Sequence, residues 1–136
     1  MTEKKNSMLL KVALAIFAIA YTTYGIILLF FTNSYIESTG SEIINPNWIR
    51  WAGGVLLALA YGTLRVFRNP VHQDTYVIVA ALATLFTGLA LAYELIFEME
   101  AGYIVWMTVL PCAGALVISA LLWIGRQQAK DILKQG

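Results

Sequence analysis

The chain has 136 residues, 60% hydrophobic and 12% charged, with a net charge of +1 and a mean hydropathy of +0.72. Soluble domains carry roughly 25% charged residues; here too little polar surface exists to cover a water-soluble core, and lipid must supply the covering. The near-neutral balance argues against a basic nucleic-acid binder, and the single cysteine, Cys112, excludes internal disulfide or paired-thiol chemistry.

Met1 to Lys11 reads as a polar leader carrying Lys4, Lys5 and Lys11. A first span follows at about 9–35, because no charge interrupts Val12 to Ile36 and about 20 apolar residues suffice to cross the hydrocarbon as a helix. Ala18-Ile19-Ala20 has the look of a cleavage site, but apolar residues continue through Ile26-Ile27-Leu28-Leu29-Phe30-Phe31, too long a run for a signal peptide. Thr32 to Pro46 reads as loop, with Pro46 suited to the start of the next helix. The second span, at about 48–67, holds Arg50 and Arg65 near its two ends. A polar turn from Arg68 to Asp74 follows, in which Asp74 or Thr75 is placed to cap the third span, at about 76–97. After a short acidic turn, the fourth span runs at about 103–125, with Pro111 expected to kink or loosen it. The tail, 126–136, carries Arg126, Lys130 and Lys134 at four-residue spacing and is expected to prolong the fourth helix into water. The predicted fold is a single all-α domain, an integral membrane four-helix bundle running up-down-up-down.

Charge sets the predicted orientation. With the amino terminus inside, Lys4, Lys5, Lys11, Arg65, Arg68, Arg126, Lys130 and Lys134 all fall on the inner side, and only Arg50 falls outside. That is the positive-inside pattern, so both termini are expected in the cytoplasm. Trp48, Trp51, Tyr103 and Trp106 form an outer aromatic belt. Glu37, Glu42, Glu94, Glu98 and Glu100 collect on the same outer side.

Helices associate in lipid through close backbone approach and buried polar contacts. Gly54, Ala58 and Gly62 on the second span, and Ala80, Thr84, Gly88 and Ala92 on the third, predict an antiparallel seam between those two helices. The first span offers Ala18, Thr22 and Gly25, and the fourth Ala115 and Ser119. Packing accounts for most of these stripes; a homo-oligomer seam is the other reading.

Ionisable residues inside a span are costly and often functional. Arg50 and Glu94 lie at matched depth, roughly 5 Å inside the outer boundary by helical rise. Three readings stay open for them: a structural pair or snorkelled charges, the rim of a polar pocket, and a proton or ion relay. Thr87, two turns below Glu94, Thr108 on the fourth span and Tyr24 on the first complete the candidate ligand-binding set, since a few convergent polar groups in an apolar cleft are what a small-molecule site needs. Thr108 precedes Pro111 by three positions, where its hydroxyl suits a carbonyl freed by the proline. His72 is expected as a solvated turn residue and Cys112 as buried and inert; no ligand set for haem or zinc stands out, so no cofactor is predicted.

With four spans and a second helix opening Arg50-Trp51-Ala52-Gly53-Gly54, the chain resembles the DoxX-like group of small bacterial membrane proteins. The resemblance implies a four-helix bundle in a bacterial inner membrane and supplies no catalytic motif. Small multidrug transporters, by contrast, depend on a carboxylate in the first span, and this first span has none. The leading expectation is a non-enzymatic accessory or interaction subunit, in contact with the bilayer and with a larger membrane complex or a second copy. The alternative is a binder or carrier of a lipid-like or small amphipathic molecule, through an outer-leaflet pocket near Arg50 and Glu94.

Overall fold

The uninterrupted apolar sequence after the leader forms α1, Met8–Phe30, in a computed structural model that describes residues 7–40, 45–98 and 102–134. The expected span to residue 35 is cut short at Phe31, whose φ of −115° and ψ of 29° leave the helical region. Beyond it, a second helix, α2, Thr32–Thr39, replaces the expected loop. Its hydroxyls explain the correction. Thr32 Oγ1 donates to the Leu28 carbonyl at 2.6 Å, and Thr39 Oγ1 donates to the Ile36 carbonyl at 2.8 Å. Gly40 then closes the helix in the left-handed conformation, φ 74°. The Ile104 amide donates to the Thr39 carbonyl at 3.1 Å and ties this end to the approach of the last long helix.

The remaining elements are α3, Asn47–Arg68; α4, Asp74–Tyr93, continued by a π-helical turn over Glu94–Glu98; α5, Trp106–Gln128; and α6, Lys130–Leu133. Pro111 lies in the second turn of α5, which continues through it. Asp74 opens α4 without capping it, because its carboxylate is engaged elsewhere. Arg126 grips it as a two-pronged fork, Nε to Oδ1 at 2.7 Å and Nη2 to Oδ2 at 2.9 Å, while the guanidinium lies over the Trp123 ring. The tail also departs from expectation. It turns at Ala129 and docks, burying Ala129 and Leu133 in the same core as Leu10 and Val66.

Three antiparallel contacts assemble the long helices. α1 meets α3 where Gly25 faces Gly53. α4 meets α5 along Gly88, against Leu116, with Ser119 Oγ donating to the Ala81 carbonyl at 2.8 Å and Cys112 Sγ to the Gly88 carbonyl at 3.3 Å. α1 meets α5 at the chain ends, Gly125 lying against the Leu10 backbone. Phe17, Leu14, Ala13, Val77, Ala80 and Leu122 fill the space between.

The seam expected between α3 and α4 does not form along their length. Gly54 and Ala58 are exposed, and a side chain added at Gly54 would meet nothing within 4 Å. The two helices touch near their connecting turn, where the Tyr76 ring crosses Gly62 and its hydroxyl hydrogen bonds with Thr63 and the Leu59 carbonyl. The α4 stripe is real but answers α5, and α1 takes Gly53, the other half of the diglycine.

Three helices, Met8–Phe30, Asp74–Glu98 and Trp106–Gln128, are long and apolar enough to cross a membrane. Their outward faces carry large apolar side chains, among them Ile19, Phe30, Phe86, Leu110 and Val117. Apolar area of this extent has no place in water, and the protein is a multi-pass membrane protein. α3, with Arg50, Arg65 and Arg68, falls outside that set of three.

Candidate functional site

The polar groups of the bundle interior converge at the end that holds Gly40 and Gly102. Glu94 stands where α4 widens from α-helical to π-helical winding, a transition that recurs at functional sites because it re-aims side chains. Its Oε1 accepts a hydrogen bond of 3.3 Å from Thr108 Oγ1. Thr108 therefore serves the carboxylate and not a carbonyl freed by Pro111, contrary to expectation. The threonine is fully buried, and Glu94 is half-buried.

Tyr35 joins them from α2. Its phenol lies close enough to Tyr103, Tyr24 and Glu94 to feel their charge, and burial first, then those neighbours, pushes it up to about 12. At neutral pH it is a donor held beside a carboxylate. This residue is absent from the expected set because Thr32 to Pro46 reads as loop; the octet closed by Gly40 is the signal that points to a helix.

Deeper in the bundle, Tyr21 of α1 stacks on Phe17, ring centroids 3.9 Å apart. It is 7% exposed, and its hydroxyl has no hydrogen-bond partner among the described residues. Thr87 of α4 stands beside it; the threonine hydroxyl donates to its own helix, to the Ala83 carbonyl at 2.8 Å, and its oxygen faces the phenol without closing to a full hydrogen bond. A buried hydroxyl without a partner costs roughly 1–3 kcal/mol, so this is an unusual place to leave one. Tyr24, one turn along α1, and Glu94, two turns along α4 from Thr87, extend the polar line towards Tyr35. Since α3 and α4 touch near their turn, the line opens sideways between them, and Thr87 is exposed there.

Arg50 does not join this group. Its Nη1 donates to Asn47 Oδ1 at 3.3 Å, and the ion pair formed among the described residues is Arg126 with Asp74. The matched depth of Arg50 and Glu94 is a property of two helices that separate at that end. Thus the structure brings together Glu94, Thr108 and Tyr24, aligns Thr87 with them, and leaves Arg50 aside. His72 sits exposed in the α3–α4 turn at φ 60°. No group of three or more metal-ligating residues occurs among the described residues.

The cluster offers one carboxylate as acceptor, phenols as donors, and an apolar approach from the lipid side. Such a set has the donors and acceptor to meet a polar head and an apolar flank to meet a greasy body. Comparison with protein-family models, curated proteins and solved structures found no match for this chain.

Proposed function

We propose that this membrane protein binds a lipid-like or small amphipathic molecule in the cleft between α3 and α4, without chemically altering it. The polar head meets Glu94, Thr108 and Tyr35, and the apolar body passes Thr87 towards Tyr21. The observation that carries this reading is the Glu94 carboxylate held by Thr108 beside Tyr35, at one end of a polar line that opens to lipid and ends inward at the buried Tyr21 hydroxyl. An acceptor on the guest would satisfy it.

In this reading α3 is a fourth crossing and both termini lie in the cytoplasm of a bacterial inner membrane. Lys11, Arg65, Arg68, Arg126, Lys130 and Lys134 support that orientation; Lys4 and Lys5, which share the bias, lie outside the described residues, as do Glu42 and Glu100. The likeness to the DoxX-like group belongs to the same proposal. A test is native mass spectrometry of the protein taken from the membrane in mild detergent and re-exposed to a total bacterial lipid extract. The wild type should retain a small amphiphile that Glu94→Gln with Thr108→Val loses while keeping its helical signal and elution volume. Retention of the same species by the variant, or of nothing by either, refutes the proposal.

One observation favours a second role as accessory subunit. Gly54 and Ala58 form a small-residue strip on α3 that no helix among the described residues covers, and such strips admit close helix approach. Gly54→Leu should then break a complex that survives mild detergent while leaving the isolated chain folded; an unchanged complex sinks this role.

A further inference from the structure

A second site lies at the opposite end of the same two helices. Where α3 gives way to α4, Gly62, Arg65, Val66, Asn69, Gln73 and Tyr76 enclose a cleft of about 370 Å³. Three things set its chemistry. Arg65 is exposed and makes no ion pair among the described residues. Asn69 Oδ1 accepts from the Val71 amide, at 3.3 Å, which leaves its NH₂ free to donate to a guest. The Gln73 side chain is likewise unengaged among the described residues. The Tyr76 hydroxyl, in contrast, is spent inward on Thr63 and the Leu59 carbonyl, so the ring serves as a wall. Gly62 makes that wall possible, since a Cβ there would sit 2.6 Å from the Tyr76 ring.

The neighbouring acid is already occupied. Asp74 follows Gln73 directly, but its two oxygens are held by the Arg126 fork, and it does not compete for Arg65. The cleft is therefore lined by one guanidinium and two amides with no acidic side chain among them. Planar N–H forks of this kind suit phosphate oxygens. The start of α4 adds the positive end of a 20-residue helix. Tyr61, one turn before Arg65 on α3, is an exposed aromatic side chain on the same side of the helix, while the exposed Leu64 and Phe67 lie on its opposite face.

We infer that this cleft is a site for a phosphate-bearing anion, and the exposed Tyr61 ring beside Arg65, on a bundle whose outward faces are apolar, favours the phosphate of an anionic phospholipid. The site shares no residue with the Glu94 cluster, so either can fail alone. The experiment titrates the full chain in neutral detergent with dihexanoyl phosphatidic acid, with dihexanoyl phosphatidylcholine and with inorganic phosphate, and reads binding from thermal stabilisation. Saturable stabilisation by the phosphatidic acid is expected. Arg65→Gln should weaken it about tenfold or more, as loss of a charge-assisted contact does. Arg68→Gln, which removes the same charge from an exposed position outside the cleft, should change it less than about twofold. Asn69→Leu, which keeps every charge, should weaken it by a factor of about 3–5. Saturation by inorganic phosphate at the same concentration, with the same Arg65 dependence, upholds the anion site and assigns it to the phosphate without the chains. Equal losses from Arg65→Gln and Arg68→Gln mean diffuse surface attraction and overturn the inference, as does stabilisation by phosphatidylcholine alone or by none of the three.

Discussion

Gly53 and Gly54 are adjacent in sequence, and the structure gives alanine opposite effects at the two. At Gly53 an added Cβ would stand 2.7 Å from the Leu29 nitrogen and 3.0 Å from the Gly25 oxygen and the Leu28 carbonyl carbon. All three are backbone atoms of α1, and none can rotate away. The helices must part by several tenths of an ångström, and overpacking of this kind costs about 1–3 kcal/mol. Alanine recovers up to about 1 kcal/mol through helix propensity, leaving a net loss of up to about 2 kcal/mol. At Gly54 nothing lies within 4 Å, so only the propensity gain applies and the variant should be up to about 1 kcal/mol more stable. Reversible unfolding in mixed detergent micelles, followed by helical circular dichroism, measures both. Equal effects, or a greater loss at Gly54, would refute the α1–α3 crossing and restore the α3–α4 seam that the small-residue stripe suggests.

Four further outcomes follow from other contacts. Asp74→Asn combined with Arg126→Gln in a double-mutant cycle should show a coupling of about 1–2 kcal/mol, since the two side chains are only 13% and 20% exposed; zero coupling would mean the fork is absent in solution. Ser119→Ala should cost about 0.6 kcal/mol in the same unfolding assay, the usual worth of an interhelical hydrogen bond in a membrane, by removing the donor that α5 supplies to the Ala81 carbonyl, which keeps Thr84 Oγ1 at 3.0 Å. Tyr21→Phe should raise the stability of the ligand-free protein by about 1 kcal/mol, because it deletes a buried hydroxyl with no partner among the described residues; a loss of stability would show that the hydroxyl is bonded. Leu133→Ala should cost about 2–3 kcal/mol if the tail is docked with that side chain 1% exposed, and almost nothing if the tail runs free into water.

The helices were legible because apolar length is a strong signal: the spans expected near 76–97 and 103–125 meet helices Asp74–Glu98 and Trp106–Gln128 within a few residues. Small residues also marked where backbones approach, at Gly25, Gly88 and Ser119. Their partners were not legible. A stripe states that something packs closely on it, and the short α3–α4 turn suggested the wrong neighbour. α2 was missed because its sequence, TNSYIEST, is polar and gains its order from threonine hydroxyls and the Ile104 amide. With α2 went Tyr35. At the site, depth counting pairs Glu94 with Arg50, but α3 and α4 part at that end and Glu94 meets Thr108 of α5. The basic tail read as a solvated extension because the spacing of Arg126, Lys130 and Lys134 drew attention from Leu133 between them.

The proposed fourth crossing, by α3, puts α2 and the α3–α4 turn on opposite sides of the bilayer. In a Cys112→Ala background, single cysteines placed by Ser38→Cys in α2 and His72→Cys in the turn can be challenged in whole cells with a membrane-impermeant maleimide. The account predicts that the cysteine at 38 reacts in intact cells and the one at 72 reacts only after the membrane is opened. Both positions reacting from the same side would contradict it.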